Sequence, residues 1–285
     1  MDKSFKEKLI LFVKEALAED VGDGDYTTLS TIDVAQQGEA QLLVKDTGIL
    51  AGVEIAVEIF KYLDVQMIVE TLLHDGATVK HGDIAFRVRG KIHDILKGER
   101  LVLNIMQRMS GIATQTSHYV AALAGTNTKV LDTRKTTPLL RFLEKRAVEI
   151  GGGVNHRFGL YDMILIKDNH VDYAGGITSA VSRAFNYKKE HHLSIPIEVE
   201  VRNFDELNQV LALAPVDRVM FDNFTPEQVA EAVSLVNGRL ITEASGGITL
   251  STIRAYAEAG VDYVSVGALT HAVKSLDLSL KAKLI

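Results

Sequence analysis

MILIKDNHVDYAGGITSAVSRAFNYKKEHHLSIPIEVEV (163–201) holds one complete strand–helix–strand unit. The apolar run MILI ends in Lys167, Asp168 and Asn169, a stretch of helical pattern follows, and a second apolar run, IPIEVEV, closes the unit. Parallel strands need such a crossover, whereas antiparallel strands can be joined by short turns. The alternation extends both ways. KVLDTRK (129–135) precedes the unit, and RVMFDN (218–223), LITEASGG (240–247) and YVSVGAL (263–269) follow it. Apolar strands alternating with helices predict a parallel sheet, closed into a barrel or wound on both faces. In either architecture the active site forms at the carboxyl ends of the strands. All six runs end there in charged, small or polar residues.

The bulk properties narrow the function classes. At 285 residues the chain suits one barrel, or a barrel with a small partner domain. Hydrophobic residues make up 47% and charged residues 24%, as in an ordinary globular protein. The net charge of −6 argues against broad nucleic-acid or anionic-membrane binding. With no cysteine, disulfides, thiolate zinc sites and a cysteine nucleophile are excluded. The apolar LILFV (9–13) lies between Lys8 and Lys14 without a small-residue cleavage site, so it does not read as a signal peptide. No run has the length of a membrane span, and a cytoplasmic location is the expectation.

The first part of the chain has a different grain. Residues 1–19 read as an amphipathic helix with Leu9, Phe12, Val13, Ala16 and Leu17 on one face, and EDVGDGDYTT (19–28) as a loop. Residues 39–96 read mainly as strands with a helix near 53–63. A long helix is expected from about Lys97 to Ala124, interrupted at Ser110-Gly111. The reading is an α+β domain over 1–107 and an α/β domain over 108–271. In the tail, SLDLSLKAKL (275–284), the apolar residues alternate with polar ones, the period of a half-buried strand. The tail 272–285 is expected to return to the sheet of the first domain; the alternative is a frayed end.

Asp132, Thr133, Arg134 and Lys135 follow the apolar Val130-Leu131 at a strand end. Arginine grips a planar carboxylate with a bidentate fork, and lysine acts on phosphate as a point charge. His156 and Arg157 after a triple glycine, and Lys167 at the next strand end, join this cluster. Between 132 and 170 there are seven Lys/Arg against five Asp/Glu, a local +2 in a chain whose remainder carries −8. A cationic pocket in an acidic protein points to a small anionic substrate. Glu198 and Glu200 flank Val199 and share one face of their strand, while Asp222 ends the next. Such carboxylates hold Mg²⁺ or accept hydrogen bonds from sugar hydroxyls. The alternative is that one glutamate pairs with a barrel lysine for structure alone. Ser245-Gly246-Gly247 and Val266-Gly267-Ala268 close the last two strands, where glycine lets backbone N–H groups approach an oxyanion and a helix expected near Thr249 adds its dipole. For His271, just beyond, two readings stay open: a contact to such a phosphate, or an ordinary histidine with no such role. His191 and His192 read as exposed.

Eight segments in order, EDVGDGDYTT (19–28), GERLVLNIMQRMSGIAT (98–114), LDTRKTTP (131–138), GGGVNHRFGLYDMILIKDNH (151–170), IEVEV (197–201), FDNF (221–224), EASGGI (243–248) and VDYVSVGALTH (261–271), resemble the quinolinate phosphoribosyltransferase family over nearly the whole chain. The resemblance implies an incomplete, six-stranded TIM-like α/β barrel beside an N-terminal α+β sandwich domain. It implies a homodimer, or a higher oligomer, in which each active site takes residues from both chains. By resemblance, quinolinate would meet Arg100 of a partner chain with Thr133, Arg134, His156, Arg157 and Lys167. Phosphoribosyl pyrophosphate would meet Lys135, Lys167, Glu200, Asp222, Ser245, Gly246, Gly247 and the backbone of Val266, Gly267 and Ala268. Lys135, Lys167, Glu200 and Asp222 are the candidates for chemistry, with Mg²⁺ the expected cofactor, Glu200 and Asp222 its candidate ligands, and no organic cofactor. The expected reaction is phosphoribosyl transfer to quinolinate with decarboxylation. Two other readings stay open: a paralogue of the same family associated with molybdenum transport, and a Schiff-base aldolase with Lys167 as nucleophile.

Overall fold

The computed structural model of the protein describes residues 1–213 and 216–283. The chain forms two compact units. The first comprises Met1–Gln115, Phe142–Gly151 and the tail from Val273; the second comprises Thr116–Arg141 and Gly152–Ala272. The elements begin with α1 (Lys3–Val21), α2 (Tyr26–Thr31), β1 (Gln37–Val44), β2 (Gly48–Ile49), α3 (Val53–Leu63), β3 (Ile68–Thr71), β4 (Thr78–Val79), β5 (Ile84–Lys91) and the long α4 (Ile92–Ala122). There follow β6 (Lys129–Leu131), α5 (Arg141–Ile150), β7 (Ile164–Ile166), α6 (Asp168–Ala174), α7 (Ile177–Glu190), β8 (Ile197–Val201), α8 (Phe204–Leu211) and β9 (Arg218–Asp222). The chain ends with α9 (Pro226–Val236), β10 (Ile241–Ser245), α10 (Ile253–Glu258), β11 (Tyr263–Ser265), α11 (Ala268–His271) and β12 (Leu278–Lys283).

In the first unit a four-stranded antiparallel sheet runs in the order β12-β1-β5-β3. The C-terminal strand lies beside β1, with Leu280 opposite Leu42 and Leu278 opposite Val44. Leu276, Leu278 and Leu280 are buried and Asp277 is exposed, as the period of two requires, but Ala282, the next apolar residue of the pattern, is exposed near the strand's end. Leu284, the last residue of the alternating pattern, lies outside the described residues. The unit's core is built by Leu42, Val44, Ile59 and Val88 together with Phe60 and Phe86, whose rings meet edge to face at 6.1 Å.

Three local expectations are corrected. EDVGDGDYTT is not all loop: Asp25 caps a short helix, accepting the Thr28 N–H at 3.1 Å, so α2 starts at Tyr26. The long helix starts at Ile92 and is unbroken at Ser110-Gly111. Gly111 serves packing instead, because a Cβ there would stand 2.3 Å from the Lys274 carbonyl of the returning tail. Residues 142–151 belong to the first unit, where Phe142 on α5 sits against Phe5 at 5.3 Å and Phe12 at 6.0 Å. The division between the units falls inside α4, beyond the expected 107/108.

The second unit carries all six expected strands in one parallel sheet, ordered β6-β11-β10-β9-β8-β7. β6 and β7 are its edges, so the barrel is open between its first and second strands, with one isolated bridge, Leu131 to Val154, at the gap. Every residue of β8 is buried, as in a strand covered on both faces.

Because Leu278 is buried on the β1 side and Asp277 is exposed, Leu278→Asp is expected to cost roughly 3 kcal/mol or more. Asp277→Leu should change stability by less than about 0.5 kcal/mol. Thermal melting of the two variants checks the pair; equal small effects would show that the tail strand contributes nothing.

Candidate active site

The carboxyl ends of the six parallel strands surround a cavity of about 680 Å³, lined wholly by the second unit. The loop after β6 supplies Thr133, Arg134 and Lys135, and the segment before β7 supplies His156 and Arg157. Lys167 stands at the end of β7, Glu200 on β8 and Asp222 at the end of β9. Ser245, Gly246 and Gly247 follow from β10, with Gly267, Ala268 and His271 after β11. Of the expected site residues, two are not in the lining. Val266 is buried, 2% exposed, and Arg100 lies on the exposed surface of α4 in the first unit.

Local structure explains the placement. Asp132 is fully buried, and its Oδ1 accepts the His156 N–H at 2.8 Å, tying the two cation-bearing segments together. Thr270 Oγ1 donates to the Lys135 carbonyl at 2.8 Å. Gly267 leaves room for the side chains beside it, since a Cβ there would come within 3.1 Å of Lys135 Cδ and 3.2 Å of His271 Cδ2. Lys167 Nζ donates to Glu200 Oε2 at 2.6 Å. The expected helix at Thr249 does not form: residues 249–252 are a side-chain-bonded turn, with Thr249 N–H on Thr252 Oγ1 at 2.9 Å, and α10 begins at Ile253. The Ser245-Gly246-Gly247 loop is therefore not followed directly by a helix N-terminus.

Beneath the pocket lies a charge cluster that sequence reasoning saw only in part. His156 Nε2 is 3.0 Å from Glu198 Oε2 and 3.4 Å from Glu243 Oε2. Arg218 Nη1 donates to Glu243 at 3.1 Å, and its Nε lies 3.9 Å from Glu198. Both glutamates are 0% exposed. Glu198 thus pairs with a histidine and an arginine; the glutamate that pairs with a barrel lysine is Glu200, with Lys167. Glu243 and Arg218 were not singled out. Glu243 was findable, because it stands two residues before Ser245 and so shares its strand face. Burial, and then the charge of Glu243, pushes Glu198 up to about 7. Burial also opposes ionisation of Glu243, but His156 and Arg218 outweigh it and hold that carboxyl below the usual range. For His156, burial favours the neutral ring and the two carboxylates favour the imidazolium, which holds its pKa up to about 9. The Arg157 amide, donating to Nδ1 at 2.7 Å, also favours the neutral ring. Two carboxylates within hydrogen-bonding range outweigh one amide dipole, so the direction is upward. Burial and then the charge of Arg134 lower the pKa of Arg157, only partly offset by Glu198 and Asp162.

Two groups of side chains have metal-ligand chemistry. The ligand atoms of His156, Glu198 and Glu243 lie within 4.8 Å of one another, the one cluster of three or more such residues among those described. Arg218 and the His156 imidazolium together already offset the two carboxylates, which leaves little call for a further cation. Glu200 and Asp222 line the same cavity, Asp222 in register with Ser245 at the start of the glycine loop, and Mg²⁺ is commonly held by one or two carboxylates with substrate phosphates supplying the rest.

The sequence pattern of the quinolinate phosphoribosyl transferase N-terminal domain matches residues 25–110, and that of the C-terminal domain matches 112–281. The chain belongs to the quinolinate phosphoribosyltransferase family. Within that family, quinolinate phosphoribosyltransferase (decarboxylating) 1b of Nicotiana tabacum is 44% identical, over 94% of this chain and 81% of its own length. The probable nicotinate-nucleotide pyrophosphorylase (carboxylating) of Bacillus subtilis is 45% identical, over 93% of this chain and 90% of its own. The solved structure of the nicotinate-nucleotide pyrophosphorylase from Francisella tularensis superimposes with a TM-score of 0.90 at 41% identity, covering 98% of this chain and 97% of that one. The family's order of domains is therefore also the order seen here, strand sheet first and parallel barrel second.

The raised pKa of His156 has a consequence for stability. Its contribution should be fully present below about pH 6.5, the ordinary histidine value, and fade as pH rises toward 9. The stability gap between the unaltered chain and His156→Gln is thus expected to be on the order of 2 kcal/mol at pH 6 and to shrink by pH 9. Melting curves at pH 6, 7.5 and 9 measure it; a gap that widens with pH would mean that the buried ring is neutral.

Proposed function

We propose that this chain transfers phosphoribose from phosphoribosyl pyrophosphate to quinolinate, giving nicotinate mononucleotide, pyrophosphate and carbon dioxide, a step of NAD biosynthesis. The observation that carries the reading is the pairing, in one cavity, of a cationic end with a glycine-rich end. Arg134, Arg157 and His156 suit a planar dicarboxylate; Lys135, Ser245, Gly246, Gly247 and Gly267 suit a pyrophosphate. Family membership along both domains supports the same reading.

In this scheme the bond between ribose C1 and the pyrophosphate oxygen breaks, and its electron pair leaves with pyrophosphate. Lys135 and Lys167 offset the charge that develops there. The pyridine nitrogen forms the new bond to C1. Once that nitrogen is quaternary, the bond from the adjacent ring carbon to its carboxylate breaks, CO₂ leaves, and the electron pair stays on a carbon that the cationic ring stabilises. One proton then completes nicotinate. Arg134 and Arg157 orient the two carboxylates, which favours reaction by positioning alone. Mg²⁺, bound with the pyrophosphate and reached by Glu200 or Asp222, would supply further charge neutralisation. The aldolase reading is disfavoured, because Lys167 is engaged by Glu200, whereas a Schiff-base lysine needs an apolar surrounding. Two arginines suited to a dicarboxylate favour quinolinate over the molybdenum-transport-associated reading.

This reading includes a cytoplasmic homodimer in which a second copy lends Arg100 to the cavity. The test is a product assay with quinolinate, phosphoribosyl pyrophosphate and Mg²⁺; no nicotinate mononucleotide would overturn the assignment. Arg157→Ala is expected to lower kcat/KM for quinolinate at least about tenfold, one charge-assisted hydrogen bond being worth roughly 1.5–3 kcal/mol. Mixing inactive Arg100→Ala with inactive Lys135→Ala should restore activity, since one of two sites in a mixed dimer is intact. No recovery after verified subunit exchange would show that Arg100 does not act across chains.

A further inference from the structure

Asn223 is an exposed loop residue that the scheme above does not use, yet three features converge on it. It is one of four described non-glycine residues with a left-handed backbone, φ +58°. Asparagine tolerates that region better than most residues, and its use beside a cavity marks a position where the surroundings hold the chain in place. Its N–H donates to the Ser245 carbonyl at 2.9 Å, joining the ends of β9 and β10. Its side-chain Nδ2 donates to Asp222 Oδ2 at 2.8 Å. The amide orientation follows from that contact, because an amide oxygen facing a carboxylate would be repelled. The same side chain covers Gly246. A Cβ on Gly246 would lie 2.2 Å from Asn223 Oδ1 and 2.9 Å from its backbone nitrogen, and Gly246 itself has φ +100°.

Asn223 therefore touches both halves of the expected phosphoribosyl subsite. One hydrogen bond occupies one oxygen of Asp222 and fixes the carboxylate's rotation. The other bond and the close packing set the Ser245-Gly246-Gly247 loop at a fixed distance from that carboxylate. We infer that Asn223 is a positioning residue that couples the Asp222 carboxylate to the glycine loop, so that the two engage phosphoribosyl pyrophosphate together. The inference rests on the proposed function, since it takes this end of the cavity as the phosphoribosyl subsite. A purely structural turn would need only the left-handed backbone; the coupling needs the amide side chain as well.

Asn223→Gly separates these roles, because glycine adopts the same backbone without strain but lacks the amide. The measurement is calorimetric titration with Mg²⁺–phosphoribosyl pyrophosphate alone, with quinolinate alone, and a thermal melt. For Asn223→Gly the expected result is about tenfold weaker binding of phosphoribosyl pyrophosphate, because Asp222 and the glycine loop are no longer held in place before the ligand arrives. Quinolinate binding should stay within about twofold, with little change in Tm. Asn223→Asp should be worse for phosphoribosyl pyrophosphate, because it sets a second carboxylate against Asp222. Unchanged phosphoribosyl pyrophosphate binding in Asn223→Gly would overturn the inference. So would equal weakening for both ligands with a lowered Tm, which would mark a merely structural turn. Failure of the unaltered chain to bind phosphoribosyl pyrophosphate would instead remove the functional reading, and this inference with it.

Discussion

Two carboxylates, Glu198 and Glu243, sit in the barrel interior with no access to water, and much of the second unit is organised around neutralising them. Burying an unpaired ion costs several kcal/mol, so each needs a cationic partner held in place. The glutamates come from β8 and β10, which are two strands apart, about 9.6 Å in a flat sheet. Both nevertheless reach one histidine nitrogen, their side chains converging over the intervening β9. Arg218 from the intervening β9 completes the cluster, and its guanidinium lies 4.7 Å from the centre of the Tyr263 ring on β11. Four adjacent strands, β8 to β11, are thereby bound into one charged knot. His156, its uppermost member, becomes part of the cavity floor as a fixed cation.

That arrangement gives the cavity its polarity. The cations that face a ligand stand on loops, while the anions that orient them lie in the strands below. Asp132 and Glu200 repeat the pattern at smaller scale: one buried carboxylate braces the His156 backbone and the other holds the Lys167 ammonium. A dicarboxylate entering such a site meets charges whose positions are already set, so little reorganisation is left for the moment of reaction.

The barrel was legible in the sequence because apolar runs ended by charges are a repeated local signal. All six strands lie within the expected segments, and every expected cavity residue except Arg100 and Val266 lines the cavity. The misses have physical causes. Arg218 opens its strand after a loop and looks like a surface residue, although it shares a strand face with Met220 and Asp222, which line the cavity. Residues 142–151 follow the first barrel strand and carry a helical pattern, yet the partners of Phe142, Phe5 and Phe12, lie far back in the chain where no local period points to them. The glycine at 111 looked like a helix break because its use is a close approach by a distant carbonyl.

The edge strand β12 bears on the order in which the chain is made. β1 emerges from the ribosome early, but its outer edge stays unpaired until the last residues arrive, for Leu42 waits on Leu280. Throughout synthesis of the barrel segment the nascent first unit exposes a strand edge that can pair with the wrong partner. The chain has charged residues there, since Glu39 on β1 is paired with Arg89 and lies 3.1 Å from Lys283 once the tail docks. Loss of residues 276–283 would thus damage the first unit, whose other strands precede the barrel in the sequence, and would leave the residues of the second unit in place.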